Sequence, residues 1–406
     1  MRTAHLLLLS LLFTTAAAAQ SFEEVAGVRL NDTTPRSTRA IALGGASDSL
    51  GDVDIVANPA TLTNVKHAMV SVQGTRNSLG FTSLLGTYPL DLKGWTDATS
   101  LSQVAAAIPI RGLVAGVYYA AEPRMQGAGA RATSFGTTPY APLQCPTCVT
   151  SAVGGPSAFD RAERRYGVAL AWERGPVAVG AGAEWQRLRE DVEPLRITLG
   201  NDPSSPGPVQ GERVFRRVDD HAVVPNAGVR WRVSPRLALA AAYNGAGSFT
   251  RTTSVCAMDI SHVSTCTSAV ALLATTTERL PDAWRAGVSF AATDRLRLVA
   301  EEVRRRYGRL AAEPYSTFGL SFHDLYHDVT ELHAGAEYKL ASLALRAGWW
   351  RDPSRYGSPY NQFHVTETHR TFGAGINVGS ARLDVAYDHS SLATQRRAVA
   401  GITLGL

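Results

Sequence analysis

Histidine and aspartate residues form two clusters whose residue types suit metal binding or proton transfer. His323 and His327 are four residues apart, with Asp324 and Asp328 beside them. On a short helix the two histidines would share one face and could hold a metal ion together. The second cluster, Asp-Asp-His at 219–221, has no nucleophile evident beside it. A solvated polar loop explains the first cluster better, so we predict no enzyme, no catalytic residues, no metal and no cofactor.

Four cysteines lie in two close pairs, Cys145 with Cys148 and Cys256 with Cys266. The first pair, Cys-Pro-Thr-Cys, resembles a redox motif, but that motif requires a strand before it and a helix after it. Here both flanks are rich in Pro, Gly and Ser, which indicates a loop. Disulfides are the default in exported proteins, so we predict one disulfide within each pair.

The first nineteen residues indicate export. Arg2 precedes an apolar run at 6–13, and small residues follow at 16–19. This is the organisation of a secretory signal peptide, with cleavage expected after Ala19. An uncleaved anchor is the alternative, but the apolar run is too short to cross a bilayer comfortably.

From about residue 66 onward, apolar residues alternate with small or charged residues at the two-residue period of a β-strand. Between 166 and 173, for example, Tyr, Val, Leu and Trp alternate with Gly, Ala, Ala and Glu. The pattern recurs at 177–186, 332–340, 372–378 and 382–388. The sequence therefore predicts an all-β fold.

The composition of the two strand faces distinguishes a membrane barrel from a soluble β-sandwich. One face is aliphatic with aromatic residues near the segment ends, and the other mixes glycine with charge. Charged residues facing lipid would cost about 2–4 kcal/mol each near the bilayer midplane, and they are nearly absent from the aliphatic face. We predict a transmembrane antiparallel β-barrel whose outward residues include Trp172, Val179, Leu383 and Ile402.

Short and long connections alternate along the predicted strands. Two-residue turns lie at 111–112, 175–176, 234–235, 293–294, 341–342 and 379–380, with long polar connections between them. Outer-membrane barrels have short periplasmic turns and longer extracellular loops. The count is about 14 strands, with the segment 78–87 either strand or loop. We therefore place the protein in the outer membrane of a Gram-negative bacterium.

Residues 20–65 do not alternate, and they separate the signal peptide (1–19) from the barrel (66–406). The segment contains the pattern Arg-x-x-x-x-Gly-Gly-Ala followed by Asn-Pro-Ala, formed by Arg39, Gly44, Gly45, Ala46, Asn58, Pro59 and Ala60. It resembles the N-terminal region of FadL-type outer-membrane transporters and of their relatives, the PorV-type barrels. The resemblance covers about twenty residues and implies a 14-stranded barrel with this segment folded inside as a hatch. An ordinary periplasmic extension is the alternative.

The composition of the segment suits a plug. A lumen about 14 strands wide is too large for its own wall side chains to fill, so a segment inside it would close it. Ile41, Leu43 and Val56 give the segment a small apolar side, and we predict that they contact a hydrophobic ligand. The predicted partners of the segment on the wall are inward charges such as Arg230, Arg285 and Glu337.

The resemblance implies passive uptake of hydrophobic or amphipathic small molecules, such as long-chain fatty acids or aromatic compounds. Solutes would be captured among the extracellular loops, pass a shifting hatch and leave laterally through the wall. Family members carry a kink that opens such a lateral gate in the third strand, in which Gly112 and Gly116 are expected to lie here; ordinary lumen packing explains these glycines equally. The alternative function is a PorV-like barrel that binds secreted cargo or secretion machinery.

Further partners follow from the rim and the C-terminus. Arg304, Arg305 and Arg306 close a predicted strand at the outer rim and could bind lipopolysaccharide phosphates bidentately; a plain charged rim is the alternative. The end of the chain resembles the signal read by the barrel-assembly machinery, although Leu406 replaces the usual aromatic residue. No basic run has the interleaved aromatic residues of a nucleic-acid binder, and we expect a monomer.

Overall fold

The computed structural model describes residues 36–46, 54–79, 98–121, 125–127, 153–197, 210–259, 266–309, 327–353, 366–391 and 395–406. Several predicted features lie outside these residues: the signal peptide, Cys145, Cys148, His323 and Asp324. The described chain contains no helix long and apolar enough to cross a membrane.

Two short helical elements precede a long series of strands. Helix α1 is Thr38–Ala42, and a 3₁₀ helix follows at Pro59–Asn64. A further 3₁₀ turn lies at Tyr307–Arg309. The strands are β1 Met69–Leu79, β2 Ala98–Ile110, β3 Leu113–Ala121, β4 Met125–Gly127, β5 Val153–Arg174, β6 Val177–Ile197, β7 Gln210–Arg232, β8 Leu237–Asn244, β9 Ser248–Asp259, β10 Ala271–Arg279, β11 Ala283–Ala291, β12 Leu296–Arg305, β13 Val329–Leu340, β14 Leu343–Asp352, β15 Glu367–Val378, β16 Ala381–Ser390 and β17 Gln395–Gly405.

The strands close into one antiparallel barrel of 14 wall strands, as predicted. The last strand pairs with the first, from Met69 opposite Gly405 to Leu79 opposite Gln395. The seventeen segments make 14 wall strands because three wall strands each comprise two described segments. β3 and β4 both pair with β5, β8 and β9 both pair with β7, and β10 and β11 pair with β9 and β8 respectively.

Tight turns lie at one end of the barrel, and they are the six that the sequence indicates. At the first of them Arg111 and Gly112 both have positive φ (45° and 87°), the conformation that matches the twist of two antiparallel strands. Eight of the wall strands are single segments of 10–13 residues, close to the 9–11 that a bilayer requires. In contrast, β5, β6 and β7 have 22, 21 and 23 residues and extend past the membrane on the loop side.

The outer surface of the barrel is an apolar band bounded by aromatic residues. The outward side chains predicted from the sequence are exposed, including Trp172 (43%) and Val179 (42%). Exposed aromatic residues lie towards both ends of the strands: Trp172, Trp231 and Tyr338 near the turns, and Tyr166, Trp284, Trp349 and Tyr387 nearer the loops. Such a band with flanking aromatic girdles is typical of a barrel in lipid. The protein therefore spans the membrane as strands.

Inward glycines allow the N-terminal segment to contact the wall closely. At six inward positions an added Cβ would lie under 3.0 Å from an atom of residues 38–60. Gly335 and Gly348 face the backbone of Leu43 and Gly44, and the other four positions are Gly180, Gly228, Gly373 and Gly401. These six glycines come from six different strands around the wall, so both described parts of the segment lie inside the barrel.

Capping residues explain the local structure of the segment. The Ser37 side chain accepts a hydrogen bond from the Ala40 amide and starts α1. Gly44 and Gly45, with φ of 71° and 85°, end this helix, and the Gly45 amide donates to the Ala40 carbonyl at 2.8 Å. Asn58 caps the 3₁₀ helix by accepting from the Ala60 amide at 2.9 Å. The motif residues therefore build two caps.

Gly348→Ala tests the close approach of the segment to the wall. The new methyl group would overlap the backbone of Leu43 and Gly44, and overpacking of this kind costs about 1–3 kcal/mol. We expect weaker docking of α1, seen as faster tryptic cleavage at Arg36 or Arg39 of the folded protein. The matched control is Gly74→Ala, where the nearest atom is 3.7 Å away. Equal cleavage rates in the two variants would contradict this account.

Candidate functional site

Helix α1 is bound to the wall by a buried charge network. The Arg39 guanidinium donates two hydrogen bonds to the Glu337 carboxylate, at 2.8 and 2.7 Å. Arg346 donates to the same carboxylate at 2.8 Å and to Asp384 at 2.7 Å. All four side chains are nearly inaccessible to solvent. Bidentate pairs of this kind fix orientation as well as charge, so Arg39 sets the position of α1.

A second charged contact lies one turn earlier in the segment. Arg36 donates to Glu301 at 3.0 Å, and Arg285 reaches the same carboxylate oxygen at 3.2 Å. Arg285 also donates to Asn244 at 2.8 Å, and the Asn244 amide donates to the Val56 carbonyl at 2.9 Å. Polar wall side chains thus hold both described parts of the segment, Arg36 through Glu301 and Val56 through the neutral Asn244 amide.

The Gly44-Gly45 bend contacts a histidine and a threonine of the wall. The Gly44 amide donates to the Thr371 hydroxyl at 2.9 Å, and a His333 ring nitrogen lies 2.5 Å from the Gly44 carbonyl. His333 stacks on Trp350, whose other face stacks on His369 with ring centroids 3.8 Å apart. The bend is therefore held by polar contacts and lies beside an aromatic stack.

The Asn58-Pro59-Ala60 turn lies against the opposite side of the wall. Pro59 and Ala60 contact Gly180, and Asn58 contacts Gly228. Arg230 donates to Asn64 at the end of the same turn. Lys66, where the chain leaves the lumen, lies 3.8 Å from Glu173 beside a tight turn. The segment therefore crosses the lumen, from the middle of β13–β15 to the turn-side ends of β6 and β7.

The three predicted ligand contacts are packed against the wall. Ile41 clusters with Ala386 and Val399, and Leu43 with Val299. Val56 belongs to a larger cluster with inward residues of β2, β3 and β5. All three side chains are at most 4% exposed. Their contact with a ligand remains a prediction.

The sequence analysis missed a separate apolar cluster on the lumen face, on the loop side of the segment. Leu188, Val218, Phe249 and Leu280 contact one another and are almost completely buried. Leu188 lies between Gln186 and Glu190 on the inward face of β6, whose other inward residues are small or polar. We call these four residues the lumen cluster. The lumen cluster is therefore a buried apolar patch on the lumen face.

Paired interruptions in the wall bring Phe249 and Leu280 into the lumen. In β8 the even-numbered residues Ala240 and Ala242 face inward, whereas after 245–247 the odd-numbered Phe249 does. The adjacent strand has its interruption at 280–282, and the Leu280 amide donates to the Gly247 carbonyl at 3.0 Å. The two interruptions lie at the same height. In both wall strands, the residues that face inward therefore switch between even and odd numbers at this point.

Solved structures identify the fold. No protein-family model matches the sequence, and no curated protein is significantly similar to it. The toluene transporter TbuX of Ralstonia pickettii matches with a TM-score of 0.61 at 16% identity, over 93% of this chain and 100% of TbuX. The chain has the FadL-type fold. A FadL homologue of Pseudomonas aeruginosa gives 0.61 at 15%, over 91% and 97% of the two chains. The Pseudomonas putida toluene transporter TodX gives 0.59 at 15%, over 93% and 99%.

Within this FadL-type barrel, lumen packing accounts for Gly116. An added Cβ there would contact Leu62 and Ile55 of the N-terminal segment. Gly112 belongs to the tight turn before β3 rather than to the strand. Residues 122–124, between β3 and β4, lie outside the described residues.

The remaining candidates for chemistry have structural roles. Cys256 and Cys266 form the predicted disulfide, which joins the loop-side end of β9 to the residues before β10. The Asp220 carboxylate accepts from the Thr250 and His221 amides, both at 2.8 Å. Asp328 accepts from the Gly308 amide at 3.1 Å. Across the described ranges no group of three or more His, Cys, Asp or Glu residues could hold a metal ion.

The three consecutive arginines do not form one phosphate-binding surface. Arg305 is buried in the lumen with Glu331, whereas Arg304 faces outward near Asp328, at 3.5 Å. Arg306 donates to Asp282 at 2.8 Å. The first two belong to a strand, whose consecutive residues point to opposite faces, so the run is divided between the lumen and the outside.

Proposed function

We propose that this protein is an outer-membrane channel for passive uptake of hydrophobic or amphipathic small molecules. One observation carries the proposal: an apolar cluster lies on the lumen face on the loop side of the N-terminal segment, where a solute would contact it once its side chains separate. A channel for ions or sugars needs a continuous polar path, whereas a hydrophobic solute needs apolar contact inside a closed barrel.

The fold supports the same proposal. TbuX and TodX, which share it along almost their whole length, are described as toluene transporters. We therefore infer that the solute has a monoaromatic ring or a long-chain fatty acid-like tail. We also infer that the protein is exported, is inserted by the barrel-assembly machinery and lies in the outer membrane. Residues 20–65 would act as the hatch, with Ile41, Leu43 and Val56 contacting the solute once the hatch shifts.

Uptake measurements with a cluster variant test the proposal. Cells producing the protein should take up labelled toluene or oleate faster than cells with an empty vector, with no gain for a sugar. Phe249→Ala should lower this uptake several-fold, because its ring is part of the lumen cluster. The matched control is Val303→Ala, another fully buried inward residue on β12.

The outcomes separate the proposal from its alternative. Unchanged uptake in Phe249→Ala would remove the lumen cluster from the path. Failure of the folded, surface-located wild-type protein to accelerate uptake of either solute would overturn the channel. A secretion or cargo-binding role would then be the hypothesis to test.

A further inference from the structure

Four aromatic rings mark the outer membrane interface on one side of the barrel. Tyr119, Tyr166, Trp185 and His221 lie on the adjacent strands β3, β5, β6 and β7. Their ring centroids are 5.2, 5.2 and 5.5 Å apart in succession. Below them the outward residues are apolar, such as Val168 and Leu170. Aromatic rows of this kind lie at the level of the lipid headgroups.

Three arginines lie on the same outward face just above this row. Arg164 and Arg187 are each two residues beyond a ring, Tyr166 and Trp185 respectively, which is about 7 Å along the strand. They are direct cross-strand partners, and Arg189 is the next outward residue of β6. All three side chains are exposed. We call them the arginine patch.

The arginine patch has one carboxylate beside it, because Asp219 lies opposite Arg189 in the sheet. Like charges directly opposite each other on a sheet are destabilising, and here two guanidinium groups are opposed. Arg187 contacts Asp219 at 2.9 Å, but both side chains are about half exposed, so solvent screens the pair. In the ranges described above, no carboxylate forms an ion pair with Arg164 or Arg189. An external anion would relieve this repulsion.

We propose that the arginine patch binds the phosphate groups of lipid A, the phosphorylated anchor of outer-leaflet lipopolysaccharide. The height of the patch above the aromatic rings indicates a lipid with a phosphorylated headgroup. Its acyl chains would lie against the apolar face below the rings, and its phosphates would reach the guanidinium groups above them. Arginine binds phosphate through two parallel hydrogen bonds. The long strands β5–β7 carry the patch on a continuous sheet, so the groups are held in a fixed array.

The site is distinct from the proposed transport path. Arg164, Arg187 and Arg189 face away from the lumen, whereas the lumen cluster and α1 lie inside. A lipid bound here would orient the barrel in the outer leaflet whatever solute passes through it. Binding and transport can therefore be tested separately.

The test measures lipid A binding to purified protein in detergent by native mass spectrometry. The triple variant Arg164→Gln, Arg187→Gln and Arg189→Gln should bind diphosphoryl lipid A at least about tenfold more weakly, since the loss of even one charge-assisted contact contributes roughly a factor of ten. The matched control replaces three exposed arginines at the turn side, Arg174, Arg236 and Arg295, by Gln. It should bind within about twofold of the wild-type protein.

Two further binding measurements show which part of the lipid the patch recognises. Lipid A with its phosphates removed should bind the wild-type protein as weakly as intact lipid A binds the triple variant. Inorganic phosphate at millimolar concentration should compete poorly if the acyl chains contribute. Retention of tight binding by the triple variant, shown to be folded by its heat-modifiable gel mobility, would overturn the site. Equal binding of phosphate-free lipid A would do the same, and complete displacement by inorganic phosphate would reduce the patch to a general anion site.

Discussion

Deleting residues 21–60 is expected to raise the ion conductance of the barrel in planar bilayers by on the order of tenfold and to abolish selective solute uptake. The deletion removes α1 and the first part of the 3₁₀ helix, which together contact inward residues around the wall. A 14-stranded wall cannot fill its own lumen. Water and ions would therefore enter the space that the segment occupies.

The charges left behind favour the same result. Without Arg36 and Arg39, the carboxylates of Glu301 and Glu337 would keep only their wall partners, Arg285 and Arg346, and would face a water-filled lumen on the side that the segment covered. We expect the enlarged pore to conduct small ions and to admit sugars, because its exposed lining is polar. Uptake of toluene or oleate should fall to the level of the empty vector, since the apolar contact with the hatch is lost.

Two controls distinguish an open lumen from a misfolded barrel. Heat-modifiable gel mobility shows whether the shortened protein folds as a barrel, and Gly348→Ala provides a full-length variant in which only the docking of α1 is weakened. Its conductance should lie between those of the wild-type and shortened proteins. A folded deletion variant with wild-type conductance would show that residues 21–60 do not close the lumen, and the transport proposal would lose its main support.

The wall was predictable because alternation has a direct physical cause. Lipid outside and polar groups inside impose a two-residue period, so the outward position of Trp172 and Val179 followed from the sequence alone. The tight turns and the number of wall strands followed for the same reason. Because neighbouring strands lie about 4.8 Å apart, a barrel of 14 strands encloses a lumen that its own side chains cannot fill.

Features that depend on a change of phase or on distant contacts were not predictable. The interruptions at 245–247 and 280–282 shift the inward face by one residue, which is why Phe249 and Leu280 face the lumen. The clusters around Ile41 and Leu43 involve wall residues about 250–360 positions later in the chain. Similarly, Arg304 and Arg305 point to opposite faces only because β12 continues as far as Arg305.

Glu337→Gln is expected to be the most destabilising single substitution in the charge network. The carboxylate accepts from both Arg39 and Arg346, and removing one partner of a buried ion pair costs about 3–5 kcal/mol. Arg39→Gln should cost less, because Glu337 keeps its bond to Arg346. The double variant should be more stable than Glu337→Gln alone, since it no longer leaves the Arg39 charge buried without that carboxylate. Urea unfolding of the refolded barrel in micelles measures all three.

A nearby arginine provides the matched control for this comparison. Arg382 contacts Asp384 at 2.8 Å but is partly exposed, so Arg382→Gln should cost less than about 1 kcal/mol. Conductance recordings add a readout that wall stability alone would not change: Arg39→Gln should increase current fluctuations if this residue holds α1 in the lumen, and Arg382→Gln should not. If Glu337→Gln and Arg39→Gln were equally destabilising, with additive effects in the double variant, Glu337 and Arg39 would not be energetically coupled. The segment would then be held chiefly by its close packing against the inward glycines.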